Sequence, residues 1–481
     1  MYPFLPIAHT KPENNWKEQD IMESLWRKQA GKTIGKMNLA ERKCGPDHWD
    51  VIVIGAGMAG LLTAFYLKEK GKAVLVLEAN EIASGQTEKT TAKITSQHGL
   101  KYSSLIKKVG RKKAQIYARA NEAAILEYEK LIRKNNIECQ FKKGNAYLYT
   151  RQDAAVLQKE AEVAKSLGLD AFFTKETELP FEITGAVGFR NQAQFSPLEF
   201  VRQISEKLEV WEHTKVISVH GNSVLAQQMG GGHLPAGMEA KTQVVLHADK
   251  IVIAAHYPFL NVPGFYFLRQ HQERSYVLAL SGCEKINGMY YGIDTDGLSL
   301  RQSGDCLLLG GGSHRTGKNG CGGAYDMLMQ AADRYFPDNR IEARWSAQDC
   351  MPHDGIPFIG KYSVFTPNLY VATGFLKWGM TSSMVAAMIL SDELCGEENE
   401  WTELFSPQRL YLRAGISNML TDIGESIKGL FRGFFYRPRC PHLGCELVWN
   451  PDDKSWDCPC HGSRFDADGN LLDNPAKHGC A

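Results

Sequence analysis

Asp50-Val-Ile-Val-Ile-Gly55-Ala-Gly57-Met-Ala-Gly60 runs directly into Leu61-Leu-Thr-Ala-Phe-Tyr-Leu-Lys-Glu-Lys-Gly71. The residues before Gly55 have the β-branched, apolar character of a buried strand, and those after Gly60 change to a helical pattern. Three glycines at the junction allow a tight turn, close approach of a ligand to the backbone and close packing of helix on strand. A second apolar strand, Ala73-Val-Leu-Val-Leu77, then ends in Glu78. A carboxylate at that point can accept both hydroxyls of an adenosine ribose, while the helix N-terminus turns its free N–H groups toward a pyrophosphate. This order of elements predicts an α/β dinucleotide-binding domain with Gly55, Gly57, Met58, Ala59, Gly60 and Glu78 at the ligand.

The whole chain bounds the rest. At 481 residues it exceeds what one hydrophobic core normally serves, so two or three domains are expected. With 55 Lys plus Arg against 54 Asp plus Glu, the near-zero charge argues against nucleic acid as a bulk partner. The N-terminal residues lack a basic stretch followed by an apolar run, and no 18 consecutive residues are apolar, so a cytoplasmic protein is expected. Cys44, Cys139, Cys283, Cys306, Cys321, Cys350 and Cys395 are scattered and read as reduced thiols.

At the other end, Cys440-Pro-His442-Leu-Gly444-Cys445 is answered by Cys458-Pro-Cys460-His461-Gly462-Ser463. Each box offers a thiolate and an imidazole at close spacing, a donor set that suits an iron pair and would also satisfy a tetrahedral zinc ion. Over about residues 436–478 the tail resembles the Rieske [2Fe-2S] family. The resemblance implies Cys440 and Cys458 on one iron, His442 and His461 on the other, and a disulfide between Cys445 and Cys460. It also implies a Ser463 hydroxyl donating to a bridging sulfide and Asn474-Pro475-Ala476 as the loop covering the cluster. Phe465 departs from the tyrosine often found there, so the expected potential lies below the upper end of the family's range of about −150 to +300 mV. A zinc site would leave the second Cys pair and Gly462-Ser463 without a role.

Between these ends stand Ala83-Ser-Gly-Gln-Thr87, Thr90-Thr91-Ala-Lys93, Asp249-Lys-Ile-Val-Ile-Ala-Ala-His256 and Asp354-Gly-Ile-Pro-Phe-Ile-Gly360. Asn368-Leu-Tyr-Val-Ala-Thr-Gly374-Phe-Leu-Lys377-Trp378-Gly379-Met380-Thr381 follows. With them, residues 48–395 resemble the D-amino-acid-oxidase-like FAD family, which includes glycine and sarcosine oxidases. The resemblance implies FAD held also by Thr91, by the Val216 backbone at adenine, and by Gly374, Gly379, Met380 and Thr381 at the flavin. It further implies a substrate lobe whose Arg274, Tyr276, Tyr291 and Arg301 are candidates for binding a substrate carboxylate or amine. Lys377, on the flavin-contacting segment, is the foremost catalytic candidate, binding a carboxylate or stabilising reduced flavin; Arg274 and Tyr276 complete that set. His256 reads as a histidine satisfied at a domain junction.

The expected organisation is an N-terminal extension (1–47) and an α/β, Rossmann-like FAD domain of the glutathione-reductase type (about 48–105, 206–256 and 345–395). An interleaved antiparallel α+β substrate lobe (140–205 and 257–344), a linker (396–435) and a small all-β Rieske domain (436–481) complete it. In the linker Leu412, Ile416, Leu420, Ile423, Ile427, Leu430 and Phe434 recur at helical spacing. That stripe is expected to dock the Rieske module internally rather than lie in a membrane interface. The glycine-rich stretch Gly310–Gly323 reads as a connection between lobes. The combination predicts hydride transfer from a C–H beside an amine nitrogen to FAD, then electrons singly to the cluster and on to a carrier protein or quinone. An oxygen-using oxidase with the cluster as sensor or staple, and a reductase fed through the cluster, compete with it. A ring-hydroxylating oxygenase would need a mononuclear iron domain for which the chain has no residues.

Overall fold

The computed structural model describes residues 22–30, 48–229, 243–409, 424 and 438–480. Two large sheets and one small one build the molecule. In the first, strands Leu369–Thr373, Gln243–Ile253, His48–Ile54, Val74–Leu77 and Glu209–Trp211 lie parallel in that order, with Phe358–Lys361 antiparallel at one edge. The hairpin Thr214–His220 and Ser223–Gln228 joins through Gln243–Ile253. The near-continuous apolar runs have a direct cause, because alternate residues enter two different cores. Val51, Val53, Val74 and Val76 pack with helices Met58–Glu69 and Gly379–Leu394, while Ile52, Ile54, Leu75 and Leu77 pack with Trp211, Val216 and Val224.

The second sheet has nine strands. Its order begins Arg340–Pro352, Gln270–Ser281, Cys306–Arg315, Ser299–Ser303 and Met289–Gly292, and continues through Lys142–Thr150, Gly185–Gln194 and Lys93–Ile94. All pairs are antiparallel except Met289–Gly292 with Lys142–Thr150, which departs from the purely antiparallel lobe expected. Arg340–Pro352 also lies here, so the return to the first sheet begins at Phe358, later than the position 345 read from sequence. Beside the tail motifs the chain forms a four-stranded antiparallel sheet, Val448–Asn450, Ser455–Asp457, Arg464–Phe465 and Leu471–Asp473. Its core is small: Cys440, Cys445, Leu447, Cys458, Cys460, Phe465 and Ala476.

Three further expectations meet the structure. Within the N-terminal extension, Leu25 and Trp26 are buried, and the Trp26 indole donates to the Thr90 carbonyl at 2.7 Å, so this part is packed into the body of the protein. The apolar helical stripe from Leu412 to Phe434 lies outside the described residues. No helix among the described residues is long and apolar enough to cross a membrane.

Candidate functional site

The first strand, the glycine turn and helix Met58–Glu69 meet as the sequence predicts. A Cβ on Gly60 would lie 1.9 Å from the Gly55 carbonyl oxygen, so only glycine lets the helix pack here. Gly55 has φ +107°, and a Cβ there would meet the Ala254 carbonyl at 2.7 Å. Neither Gly57 nor Trp378, the N-caps of helices Met58–Glu69 and Gly379–Leu394, supplies a side-chain cap. Around Gly379 the space is open, with nothing within 4 Å of a built Cβ. Thr87 Oγ1 accepts the Met58 N–H at 2.9 Å, so the remaining N–H groups of that helix start and the N-terminus at Gly379, beside open space, suit the anionic and carbonyl groups of a dinucleotide. Glu78 stands at its strand end, where its carboxylate accepts the Ala56 N–H at 2.7 Å and the Asn80 N–H at 2.9 Å. Each oxygen keeps a lone pair for a ribose hydroxyl. Thr91 presents its carbonyl to Arg301 at 2.8 Å, and Val216 is buried in its strand. Gly374 has φ +73°, and the Met380 carbonyl accepts from the Tyr128 hydroxyl at 2.9 Å. Thr381 Oγ1 donates to the Thr95 carbonyl at 3.1 Å.

The tail boxes form two loops facing each other. Cys440 N–H bonds the Cys445 carbonyl and Cys458 N–H the Ser463 carbonyl, each at 2.8 Å. Cys445 and Cys460 form a disulfide. The thiols of Cys440 and Cys458 bond each other, which together with the Ser463 hydroxyl pulls the Cys440 thiol down to about 7. The His442 and His461 rings lie 5.0 Å apart. His442 Nε2 pairs with Asn261 Oδ1 at 2.9 Å, while its Nδ1 is buried without a hydrogen-bond partner among the described residues. Two sulfurs, two imidazoles and a buried orphan nitrogen fit an iron pair, with the disulfide accounting for the cysteines a zinc site leaves over.

Comparison with known proteins agrees with this geometry. Residues 50–393 match the family model for FAD dependent oxidoreductases, and residues 432–481 match that for Rieske [2Fe-2S] domains. The chain belongs to the FAD dependent oxidoreductase family. The oxidoreductase carries a Rieske domain, and its two domains bind FAD and a [2Fe-2S] cluster. It is 33% identical to the Rieske 2Fe-2S iron-sulfur protein YhfW of Bacillus subtilis over 98% of this chain and 97% of that protein. Its fold is similar to glycine oxidase from Geobacillus kaustophilus, with TM-score 0.61, 17% identity, and coverage of 76% of this chain and 99% of that one. L-proline dehydrogenase from P. horikoshii is similar too, with TM-score 0.61, 16% identity, and coverage of 76% and 98%.

The strand Gln270–Ser281 corrects the reading of the oxidoreductase's catalytic residues. Arg274 is fully buried and pairs with Asp453 of the Rieske domain, with further bonds to Ser346 Oγ and, at 3.3 Å, Gln348 Oε1. The Tyr276 hydroxyl takes a bond from Asn450 Nδ2 at 3.0 Å and lies 3.1 Å from His314 Nε2. Both side chains therefore spend their polar groups on the Rieske domain. Arg301 is likewise buried, spending its guanidinium on the carbonyls of Thr91, Ala92 and Phe195. The glycine-rich stretch has the same corrected role. A Cβ on Gly317 would sit 2.5 Å from Pro459 N, and Arg315 donates to the Pro459 and Cys460 carbonyls at 3.1 and 3.0 Å. These glycines admit the cluster loop rather than join two lobes.

Lys377 lies on the opposite side of that strand. Its ammonium bonds Ser313 Oγ at 3.0 Å and Glu273 at 3.3 Å. Burial opposes its charge, but Tyr291, Glu273 and Asp349 outweigh burial and hold it above its ordinary pKa. A cavity of about 230 Å³ opens beside it, lined by His98, Tyr291, Met351 and Trp378 among others. His98 stacks on Trp378 with ring centroids 4.9 Å apart and is held by the Tyr117 hydroxyl at 2.7 Å. Sequence reading passed over His98 because a lone His-Gly in a loop carries no spacing signal. His256 sits at the junction as expected, 3.4 Å from Cys350 Sγ, and burial lowers it to about 4.

Two outcomes test this geometry. Gly60→Ala must displace the helix from the strand, costing about 1–3 kcal/mol as overpacking, and is expected to lower the flavin-to-chain ratio of purified protein. Burial raises Asp349 from 3.8 to about 6, against the pull of Lys377. The folded protein then holds a proton that the unfolded chain has released, so this group's stability contribution is present below about pH 4 and lost as pH rises through about 6. Thermal unfolding between these values is expected to show that decline, and Asp349→Asn to flatten it.

Proposed function

We propose that the oxidoreductase is a dehydrogenase for an amine or amino acid that passes electrons from FAD to its own Rieske cluster and then to an external one-electron acceptor. The observation that carries this reading is the placement of the strand Gln270–Ser281. On one side Gln272, Arg274 and Tyr276 bond the Rieske domain, and on the other Glu273 meets Lys377 beside the cavity. A single strand separates the cluster loops from the side of the FAD domain where substrate would bind. The names of the similar folds, glycine oxidase and L-proline dehydrogenase, support an amino acid or amine as the substrate class.

FAD supplies hydride acceptance when bound. The protein's part is to place the substrate over it: Lys377 offers a fixed positive charge for a carboxylate, and the aromatic His98, Tyr291 and Trp378 narrow the cavity. Lys101, whose ammonium donates to the Gly355 carbonyl, is lowered by burial to about 7 and sits at the same cavity, where it can exchange a proton near neutral pH.

An anaerobic screen of amines and amino acids, read by loss of flavin absorbance and then by the cluster's spectrum, tests the proposal. The expected result is a compound that bleaches the flavin first and the cluster next, at the turnover rate. A flavin that bleaches while the cluster stays oxidised would instead support an oxygen-using oxidase.

A further inference from the structure

One side chain on the separating strand touches both the Cys458 loop and the loop that covers the cluster. We propose that Gln272 is the positioning residue for electron transfer, holding His461 at a fixed place relative to the flavin-side segment. This rests on the flavin-to-cluster reading above.

Gln272 is 1% exposed. Its amide uses both N–H groups on the Rieske domain, donating to the His461 carbonyl at 2.8 Å and the Asn474 carbonyl at 2.9 Å. Its Oε1 accepts from Gln348 Nε2 at 2.6 Å, and Gln348 gives its other N–H to the Gly462 carbonyl at 2.8 Å. Four amide N–H groups therefore have four acceptors, three of them on the loops that carry or cover the cluster. A satisfied buried network of this kind is rigid. The approach is close enough to dictate the facing residue, since Gly462 has φ +87° and a Cβ on it would fall 2.6 Å from Gln272 Cβ.

The same residue connects toward the flavin. Cys350 is its cross-strand neighbour, with Sγ 3.9 Å from Gln272 Oε1, and the Cys350 carbonyl accepts the Leu376 N–H at 2.9 Å. Leu376 belongs to the segment Gly374–Thr381. A bonded route thus runs from Leu376 through Cys350 and Gln272 to the backbone of His461. Its two amides are neutral and already oriented, so little reorganisation accompanies passage of charge. One electron would pass along this route from reduced FAD to the oxidised cluster, and the second would follow once the external one-electron acceptor has taken the first. No covalent bond forms or breaks, and the two protons released by the flavin leave to water.

The test uses anaerobic holoprotein whose flavin is reduced photochemically, with cluster reduction followed by rapid-freeze EPR. In Gln272→Leu, which keeps bulk and removes the donors, both cofactors are expected to load. Electron equilibration is expected to slow by about 10–100-fold, the range for loss of an outer-sphere partner at a metal site. Gln272→Glu sets a carboxylate against two carbonyl oxygens, and its protonated form recovers one donor. Its rate relative to the native protein at the same pH is therefore expected to rise as pH falls, with His256, the titratable neighbour bonded to Gln272, kept at about 4 by burial. Faster amide exchange at His461 and Gly462 is expected in both variants. A purely structural role would lower cofactor content or thermal stability without that pH profile. Native-like equilibration in a fully loaded Gln272→Leu protein overturns the role of Gln272. A native protein whose cluster takes no electrons from reduced flavin overturns the flavin-to-cluster reading, and this inference with it.

Discussion

Cys458→Ser is expected to give a protein that keeps its flavin, loses its cluster and no longer reduces one-electron acceptors. The reason lies in how little else holds the Rieske domain together. Its core is seven residues, four of them cysteines, and a domain of this size depends on cross-links and metal more than on apolar burial. Cys440 and Cys458 are the two fully buried cysteines of this domain outside the disulfide, with Cys480 only partly buried, so removing one destroys half of the sulfur ligand pair. The FAD domain has separate cores and retains its own stability. Substrate is therefore expected to bleach the flavin at a native rate while acceptor reduction falls to background. Metal analysis, the flavin-to-chain ratio and stopped-flow absorbance check the three parts, and retained acceptor reduction in a cluster-free protein would falsify the dehydrogenase reading.

The second large effect is Arg274→Met. Arg274 and Arg464 share Asp453, while Asp457 and Asp473 complete a buried network of three carboxylates and two guanidiniums. Taking one partner from a buried pair costs about 3–5 kcal/mol when the remaining charge is left alone. Asp453 keeps Arg464 at 3.2 Å, so the lower end applies, with three carboxylates left on one guanidinium. Here the loss falls on the seam between the domains. The variant is expected to melt at a lower temperature, to be cut by trypsin near the Rieske domain and to transfer electrons slowly from flavin to cluster. A double variant, Arg274→Met with Asp453→Leu, is expected to recover part of the stability, since replacing both members by apolar groups is far less costly than removing one. If the double variant is as unstable as the single one, the pair is not what holds the seam.

Features set by local order were legible in the chain. The strand, glycine turn, helix and acid around Gly55–Glu78 required no distant partner to be recognised, and the paired boxes at Cys440 and Cys458 carried their spacing on the surface. What the chain did not reveal were contacts made across long separations. Arg274 and Tyr276 looked like substrate ligands because charged and phenolic groups on a roof strand often are. Only the three-dimensional placement of Asp453 and Asn450 beside them shows another use. Gly310–Gly323 looked like a connector because glycine runs usually are; Gly317, Gly320 and Gly322 instead face Pro459, Val448 and Pro451, more than a hundred positions later. The cavity at Lys377 gathers residues from four separate stretches, which no spacing rule joins.

The interface also bears on where such a protein can have come from. Asp452 of the Rieske domain accepts the N–H groups of Gly323 and Ala324 at 3.2 and 3.0 Å, serving as the missing cap of helix Ala324–Tyr335 in the other domain. Glycines on both sides, Gly317 against Pro459 and Gly462 against Gln272, admit only a partner of matching contour. The tail is thus not a portable cassette. A Rieske domain without an acid at the position of Asp452 would supply the same metal centre yet leave a helix end bare. Fusion of another such tail to this body therefore needs an acid supplied at the Asp452 position before the seam closes.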